Sequence, residues 1–222
     1  MQDEEVSDHR LYRGYVGRPE GYDLLALNQI CVLSALGLRE NHRVLDLGCG
    51  SLRLGRMLIP FLRSGRYYGV EPNLALLDAG VRNELGWDAF AIKRPVILPI
   101  DDFSLWRFGV KFDFIVAHSI FTHTQPALAL HALSAVREAL APGGRLAATF
   151  IATDPPLRPQ TGSWIYPDCI TYTEQESLAL FAGAGLHVLP VKFPHPCQDW
   201  WIAEAENGNY SLHCPSTRKP SP

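Results

Sequence analysis

The chain has 222 residues, a formal net charge of -3 and 47% apolar residues, which suits one α/β domain with a single buried core. With this charge and no block of Lys or Arg along a predicted helix, we expect no nucleic-acid partner. The segment from Met1 to Glu5 is acidic, unlike a signal peptide, and no apolar run has the length of a membrane span. We therefore expect a cytoplasmic protein with no membrane partner.

The cysteines predict neither a disulfide framework nor a metal site. Their number is odd and no pair has C-x-x-C spacing. They are Cys31, Cys49, Cys169, Cys197 and Cys214. We expect no bound metal.

The first long predicted element is an amphipathic helix over residues 21–37, which ends at Gly37. A short apolar run, Val44 to Leu47, then predicts a strand that leads into a turn with Gly48, Gly50 and Gly55. Glycines in such a turn allow the backbone to pass close to a ligand, and the helix that follows (52–62) offers free N–H groups. The pattern predicts a cofactor-binding turn.

Two common cofactor motifs do not fit this turn. A dinucleotide fingerprint G-x-G-x-x-G needs a third glycine at the position of Arg53. A phosphate-binding loop needs Lys and Ser or Thr at the positions of Arg56 and Met57. The sequence therefore disfavours both nicotinamide binding and hydrolysis of nucleoside triphosphates.

A second predicted strand, residues 67–70, ends at Glu71, about 20 residues past the turn, where an acid suits the hydroxyls of an adenosine ribose. A helix is predicted over 74–85. The third strand is predicted over 96–100, with Pro99 tolerable only near its end, and it leads into Asp101, Asp102 and Phe103.

The second half of the chain continues the alternation of strands and helices. A fourth strand from Phe112 is followed by a loop with His118 and His123, and a helix over 126–140 precedes a fifth strand over 143–150. A capping box at Thr173 and Glu176 begins a helix over 177–184. Two more strands, 186–191 and 200–205, form a hairpin. This order predicts an α/β fold, a doubly wound, mostly parallel, seven-stranded sheet with a C-terminal antiparallel hairpin.

From Val44 to Gly50 and at Glu71 the chain resembles the class I S-adenosylmethionine-dependent methyltransferases, although Arg53 and Leu54 are not general features of that family. The resemblance implies S-adenosylmethionine as cofactor, with S-adenosylhomocysteine as product. It also implies a set of cofactor-binding residues at the carboxyl edge of the sheet. These are Asp46, Gly48, Cys49, Gly50, Ser51, Glu71, Pro72, Asp101, Asp102, Phe103 and His118. We add Arg53, whose charge could pair with the carboxylate of the cofactor.

Methyl transfer mainly requires that both partners are held in contact without water, and a histidine near neutral pKa is the usual general base for a hydroxyl or amine. His123 and His118 are the candidate catalytic residues. His123 could instead be a loop histidine bonded to backbone, and Asp101 and Asp102 could cap a loop.

We expect one cofactor-binding domain over 1–206, with a helical cover (1–40), a lid loop (154–167) and a flexible tail (207–222). The leading hypothesis is methyl transfer to an oxygen or nitrogen of a small-molecule acceptor, a secondary metabolite or sugar-like compound. The alternatives are methylation of protein side chains, aminopropyl transfer on the same fold, and cofactor binding without catalysis.

Overall fold

The computed structural model describes residues 9–158 and 162–205, with side chains described from Tyr12 onward. Three predicted features lie wholly or partly outside these residues. They are the first eight residues of the helical cover, residues 159–161 of the lid loop, and the C-terminal tail, which includes Cys214.

The fold is built on one seven-stranded sheet with the order β3-β2-β1-β4-β5-β7-β6. The strands β3, β2, β1, β4 and β5 are parallel, and β7 runs antiparallel to both β5 and β6. Chain order reverses between β1 and β4, and their carboxyl ends form the edge where such sheets bind ligands. The strands are Val44–Leu47, Tyr67–Val70, Val96–Leu98, Phe112–Ala117, Leu140–Phe150, Leu186–Val188 and Asp199–Ala205. The expected fold class is confirmed.

Helices cover both faces of the sheet. Leu45 and Leu47 point into the larger core with α6 and α7, whereas Val44 points into a second core with α2 and α3. Within residues 9–158 and 162–205 the α-helices, α1 to α7, are His9–Gly14, Tyr22–Ala35, Gly55–Phe61, Leu74–Gly80, Trp87–Lys93, Pro126–Ala139 and Glu174–Gly183. Among the described residues no helix is long and apolar enough to cross a membrane.

Several element boundaries differ from the sequence prediction. The helix α3 begins at Gly55 instead of Leu52, because Leu52 has a left-handed backbone with φ 60°. Strand β3 ends at Leu98, directly before Pro99, which has no N–H to donate. Strand β5 begins at Leu140, which pairs with β4 across an irregularity in register. Strand β6 ends at Val188.

The helix predicted over 74–85 divides into α4 and a π-helical segment, Val81–Leu85. The helix α5 was not predicted; it follows Gly86, whose φ of 89° breaks the preceding helix. The capping box before α7 is confirmed, with Thr173 Oγ1 accepting from Glu176 N and Glu176 Oε2 accepting from Thr173 N.

Candidate active site

The glycine turn after β1 has a backbone that requires small residues. Gly48 and Gly50 have φ of 74° and 53°, in the left-handed region. A Cβ at Gly48 would collide with Ile120, and one at Gly50 would lie 2.6 Å from Val16 Cγ1. The turn therefore packs closely against the loop after β4 on one side and the N-terminal segment on the other.

Glu71, at the end of β2, is bonded directly to this turn. Its Oε2 accepts from Gly50 N at 2.9 Å, and its Oε1 accepts from Asn73 N at 2.8 Å. Burial raises the pKa of Glu71, although these two N–H groups oppose the effect. Asn73 also caps α4, whereas Pro72 between them is exposed. The carboxylate is thus fixed at the carboxyl edge between β1 and β2.

Asp46 lies beneath the turn. It is buried, and its Oδ2 accepts a hydrogen bond from Tyr67 Oη at 2.9 Å. Burial raises the pKa of Asp46 to about 6, against the opposing hydrogen bond from Tyr67. The carboxyl is engaged by the protein itself, and its contact with a cofactor stays a prediction.

Cys49 and Ser51 are also buried within the turn. Cys49 donates its backbone N–H to Val70 O at 2.9 Å, which ties the turn to β2. The Ser51 hydroxyl lies 3.1 Å from Tyr22 Oη, so α2 holds the other end. Both residues fix the shape of the turn.

Arg53 is a buried cation whose hydrogen bonds go to a backbone carbonyl and an imidazole, and not to a carboxylate. It donates from Nη1 to Val16 O at 2.5 Å, and its Nη2 lies 2.7 Å from His118 Nδ1. Its Nε is buried and has no partner among the described residues. A buried guanidinium with an unused donor is suited to a ligand carboxylate.

His118 follows β4 and is surrounded by polar groups. Besides Arg53, the Ser119 hydroxyl lies 3.1 Å from its Nδ1, and its Nε2 lies 2.9 Å from His195 Nε2. Burial, and then the charge of Arg53, lower the pKa of His118 well below its usual value. Burial also lowers the pKa of His195, again with Arg53 acting in the same direction. Both imidazoles are therefore neutral at physiological pH.

His123 is separate from this pair and holds the loop before α7. Its Nδ1 is 2.7 Å from Asp168 O, and its ring packs against Trp164 and Tyr166. Burial lowers the pKa of His123, while the bond to the Asp168 carbonyl opposes the effect. A neutral His123 that donates from Nδ1 retains a lone pair on Nε2.

The segment after β3 contains one buried apolar residue and two exposed acids. Phe103 is buried, and its ring lies beside His131. Asp102 accepts from Ser104 N at 3.0 Å and from the Ser104 hydroxyl at 2.7 Å, so it caps this loop. Asp101 is exposed. Contact of these residues with adenine stays a prediction.

Comparisons with known proteins identify the domain. Residues 45–146 match a family model described as a methyltransferase domain. Over these residues the chain carries a methyltransferase domain. The fold is similar to that of magnesium protoporphyrin IX methyltransferase from Synechocystis PCC 6803, solved with bound S-adenosylmethionine, at 15% identity over 88% of this chain and 84% of that one (TM-score 0.64).

Two further structures have the same fold as the methyltransferase. One is a glycopeptide N-methyltransferase in complex with S-adenosylhomocysteine, at 16% identity over 81% of this chain and 89% of that one (TM-score 0.62). The other is human N-acetylserotonin methyltransferase in complex with S-adenosylmethionine, at 13% identity over 84% and 54% of the two chains (TM-score 0.60). At such identities the likeness shows the fold. The match of residues 45–146 to a methyltransferase domain agrees with the expected family.

Sequence analysis of the methyltransferase missed two parts of the site. His195 lies in the connection between β6 and β7, far from His118 in sequence. The antiparallel pairing of β7 with β5 offered a signal, since it brings the start of β7 to the carboxyl end of β5. The second part is the segment with Tyr15 and Val16, which the sequence placed in a helical cover without naming contact residues. Tyr166 donates to Tyr15 O at 2.7 Å and joins this segment to the lid loop.

Proposed function

We propose that this methyltransferase transfers a methyl group from S-adenosylmethionine to an oxygen or nitrogen atom of a small-molecule acceptor, a secondary metabolite or sugar-like compound. The observation that carries the proposal is the bond of Glu71 to Gly50 N at the reversal point of the sheet. It places a fixed carboxylate beside a narrow glycine turn at the edge where doubly wound sheets bind ligands.

The residues at this edge fit the cofactor. Glu71 uses one lone pair of each oxygen on backbone N–H groups, so the remaining lone pairs are suited to ribose hydroxyls. Arg53, with its unpaired Nε, is suited to the carboxylate of the amino-acid part. We assign the adenine end to Phe103 with one of Asp101 and Asp102.

When bound, S-adenosylmethionine supplies a methyl group on a positively charged sulfur. The protein has to hold the acceptor against that methyl group and keep water out. The N-terminal segment and the lid loop suit this task, because Val16 packs on Gly50 while Tyr166 bonds to Tyr15 O. Tyr166 thus joins the lid loop to the segment that packs on the turn.

His123 is our candidate general base. Its Nδ1–H is used by the Asp168 carbonyl, which leaves Nε2 as a proton acceptor, and burial keeps the ring neutral. A neutral hydroxyl or a protonated amine needs such a group before it can attack.

A screen of acceptors with methyl-labelled S-adenosylmethionine tests this function. We expect label transfer to at least one small phenol, carboxylic acid, sugar or amine. In the His123→Ala variant turnover should fall at least tenfold while affinity for S-adenosylhomocysteine holds, and His187→Ala, an exposed change on β6, should alter neither.

The other outcomes identify the alternatives. Equal loss of turnover and affinity in His123→Ala would assign His123 a structural role. Transfer to a protein and to no small molecule would indicate a protein methyltransferase. Transfer from decarboxylated S-adenosylmethionine alone would indicate an aminopropyltransferase. Binding without any transfer would indicate a non-catalytic module.

A further inference from the structure

The groups around His118 and His195 supply more hydrogen-bond donors than the two imidazoles can accept. At one end the guanidinium of Arg53, 2.7 Å from His118 Nδ1, can only donate. At the other end two backbone N–H groups, of Cys197 and Gln198, donate to His195 Nδ1 at 3.2 and 2.9 Å. Both Nδ1 atoms are therefore acceptors.

The proton positions on the two rings follow from this. A neutral imidazole carries one proton, and with Nδ1 accepting, that proton is on Nε2. The Nε2 atoms of His118 and His195 lie 2.9 Å apart, so two N–H groups point at each other. Moving either proton to Nδ1 would place it against Arg53 or against the backbone N–H groups. With both rings neutral, no placement of their protons satisfies all the contacts from Arg53, through the two histidines, to the two backbone N–H groups.

The neighbouring side chains reinforce this assignment. Gln198 Nε2 donates to the Ser119 hydroxyl at 2.7 Å, which leaves that hydroxyl free to donate to His118 Nδ1 at 3.1 Å. Trp200 packs against both imidazoles, with ring centroids 5.6 and 5.9 Å away, and its Nε1 is held by Asn28 Oδ1 at 2.8 Å. The two rings are thus held in orientation from several sides.

Two converging N–H groups beside a buried cation form a site for a negatively charged atom. A metal ion would need a lone pair on each Nε2, and hence protons on both Nδ1 atoms, where donors already point. An anionic oxygen placed between the rings would accept from both Nε2–H groups and remove the conflict. His118 is buried, whereas His195 is partly exposed in a connection whose residues are mostly exposed. His195 is therefore the ring that can move to make room for the oxygen.

We propose that His118 and His195 bind an ionised oxygen of the methyl acceptor, a carboxylate or a phenolate, between their Nε2 atoms. The inference rests on the proposed function, since that function supplies the methyl acceptor as the ligand. It also places His118 as a hydrogen-bond donor, since the lone pair of its ring faces Arg53. The acceptor class is then narrowed to compounds that carry a carboxylate or an acidic hydroxyl.

Titration of the methyltransferase with sodium benzoate, in the presence of saturating S-adenosylhomocysteine, tests the proposal. Long-range nitrogen–proton NMR of the histidine rings should show both His118 and His195 protonated on Nε2 in the benzoate complex. The neutral amide benzamide, of the same shape, should not bind. We expect His195→Ala to weaken benzoate binding about tenfold or more, the loss of one charge-assisted hydrogen bond.

Two variants serve as controls. His195→Asn retains a side-chain N–H donor and should recover part of the benzoate affinity. His187→Ala, on the exposed side of β6, should leave it unchanged. Thermal unfolding of each variant, which should match that of the wild type, shows that the fold is intact.

The cofactor's own carboxylate is the other source of an anionic oxygen. Comparison of S-adenosylhomocysteine with 5′-methylthioadenosine, which has no carboxylate, distinguishes the two. If His195→Ala weakened the first ligand and not the second, the oxygen would belong to the cofactor and the acceptor assignment would be overturned. Benzoate binding that is absent, or unchanged in His195→Ala, would also overturn it. Failure of the wild type to bind S-adenosylhomocysteine at all would instead contradict the proposed function.

Discussion

Among single residues, Asp46 has an effect on stability that depends on pH. Its pKa is raised from 3.8 to about 6 by burial, so the folded protein holds this proton more tightly than the unfolded chain. The stability that it contributes is complete below about pH 4 and is lost as the pH rises through about 6. An ionised Asp46 at neutral pH is therefore a cost to the fold.

We predict that Asp46→Asn stabilises the methyltransferase at pH 8 by about 1 to 3 kcal/mol, because Asn can still accept from Tyr67 and carries no charge. Below pH 4 the variant and the wild type should be equally stable. Urea unfolding at several pH values measures the difference. A difference that does not vary between pH 4 and pH 8 would contradict the buried, titrating carboxyl.

The sequence allowed the residues of the turn to be predicted, but not what their side chains contact. Asp46, Gly50 and Glu71 could be found because they follow strands at a set spacing. That Asp46 would bond to Tyr67 depends on side-chain directions that a linear pattern does not contain. The capping of its own loop by Asp102 was one of two alternatives that the sequence left open. His195 was missed because it lies in an irregular connection without periodicity.

Among the elements, α4 packs directly against the glycine turn. A Cβ at Gly80 would collide with the backbone of Ser51, which cannot move without shifting the turn. The register of α4 is set by the Asn73 cap, so the helix cannot easily slide to relieve the contact. Gly80 thus permits the helix and the turn to pack in direct contact.

We predict that Gly80→Ala lowers the free energy of unfolding by about 1 to 3 kcal/mol, the usual cost of overpacking, and weakens S-adenosylhomocysteine binding. Gly14→Ala is the matched control, because no atom of the described residues lies within 4 Å of its Cβ position. Chemical denaturation and calorimetry measure the two effects. If Gly80→Ala bound and unfolded like Gly14→Ala, the close contact of α4 with the turn would be refuted.

The order of the strands was predictable because hydrophobic periodicity reports it directly, and all seven strands were anticipated, whereas the helix α5 was not. The boundaries of the elements were less predictable. The helix α3 begins at Gly55 and not at Leu52, because Leu52 has a left-handed backbone. The π-helical segment Val81–Leu85 has no periodic signature of its own.

In the molecule as a whole, a buried cluster of charges ties the N-terminal helices to the sheet domain. Glu84 has a side chain that is 3% exposed, and it bonds to Arg13 at 2.6 Å, Arg56 at 2.9 Å and Tyr12 Oη at 2.6 Å. Arg13 also stacks over the ring of Tyr22 in α2. This cluster positions the segment that packs on the glycine turn.

We predict that Glu84→Gln lowers the free energy of unfolding by about 3 kcal/mol, since the partly buried guanidinium groups of Arg13 and Arg56 lose their buried counter-charge. They would keep only the exposed carboxylate of Asp23. Glu40→Gln, which breaks the exposed pair with Arg63, should leave the free energy of unfolding nearly unchanged. Hydrogen exchange should show faster opening of α1 in Glu84→Gln. Equal stability of the two variants would show that the cluster does not hold the N-terminal segment.

Isothermal titration of S-adenosylhomocysteine into the wild type and Glu71→Ala tests most directly that the glycine turn with Glu71 is the cofactor site. We predict binding to the wild type, a loss of about tenfold or more in Glu71→Ala, and no change in Glu40→Ala, which removes an exposed acid elsewhere. Absence of binding to the wild type, or equal affinity in Glu71→Ala, would contradict the site.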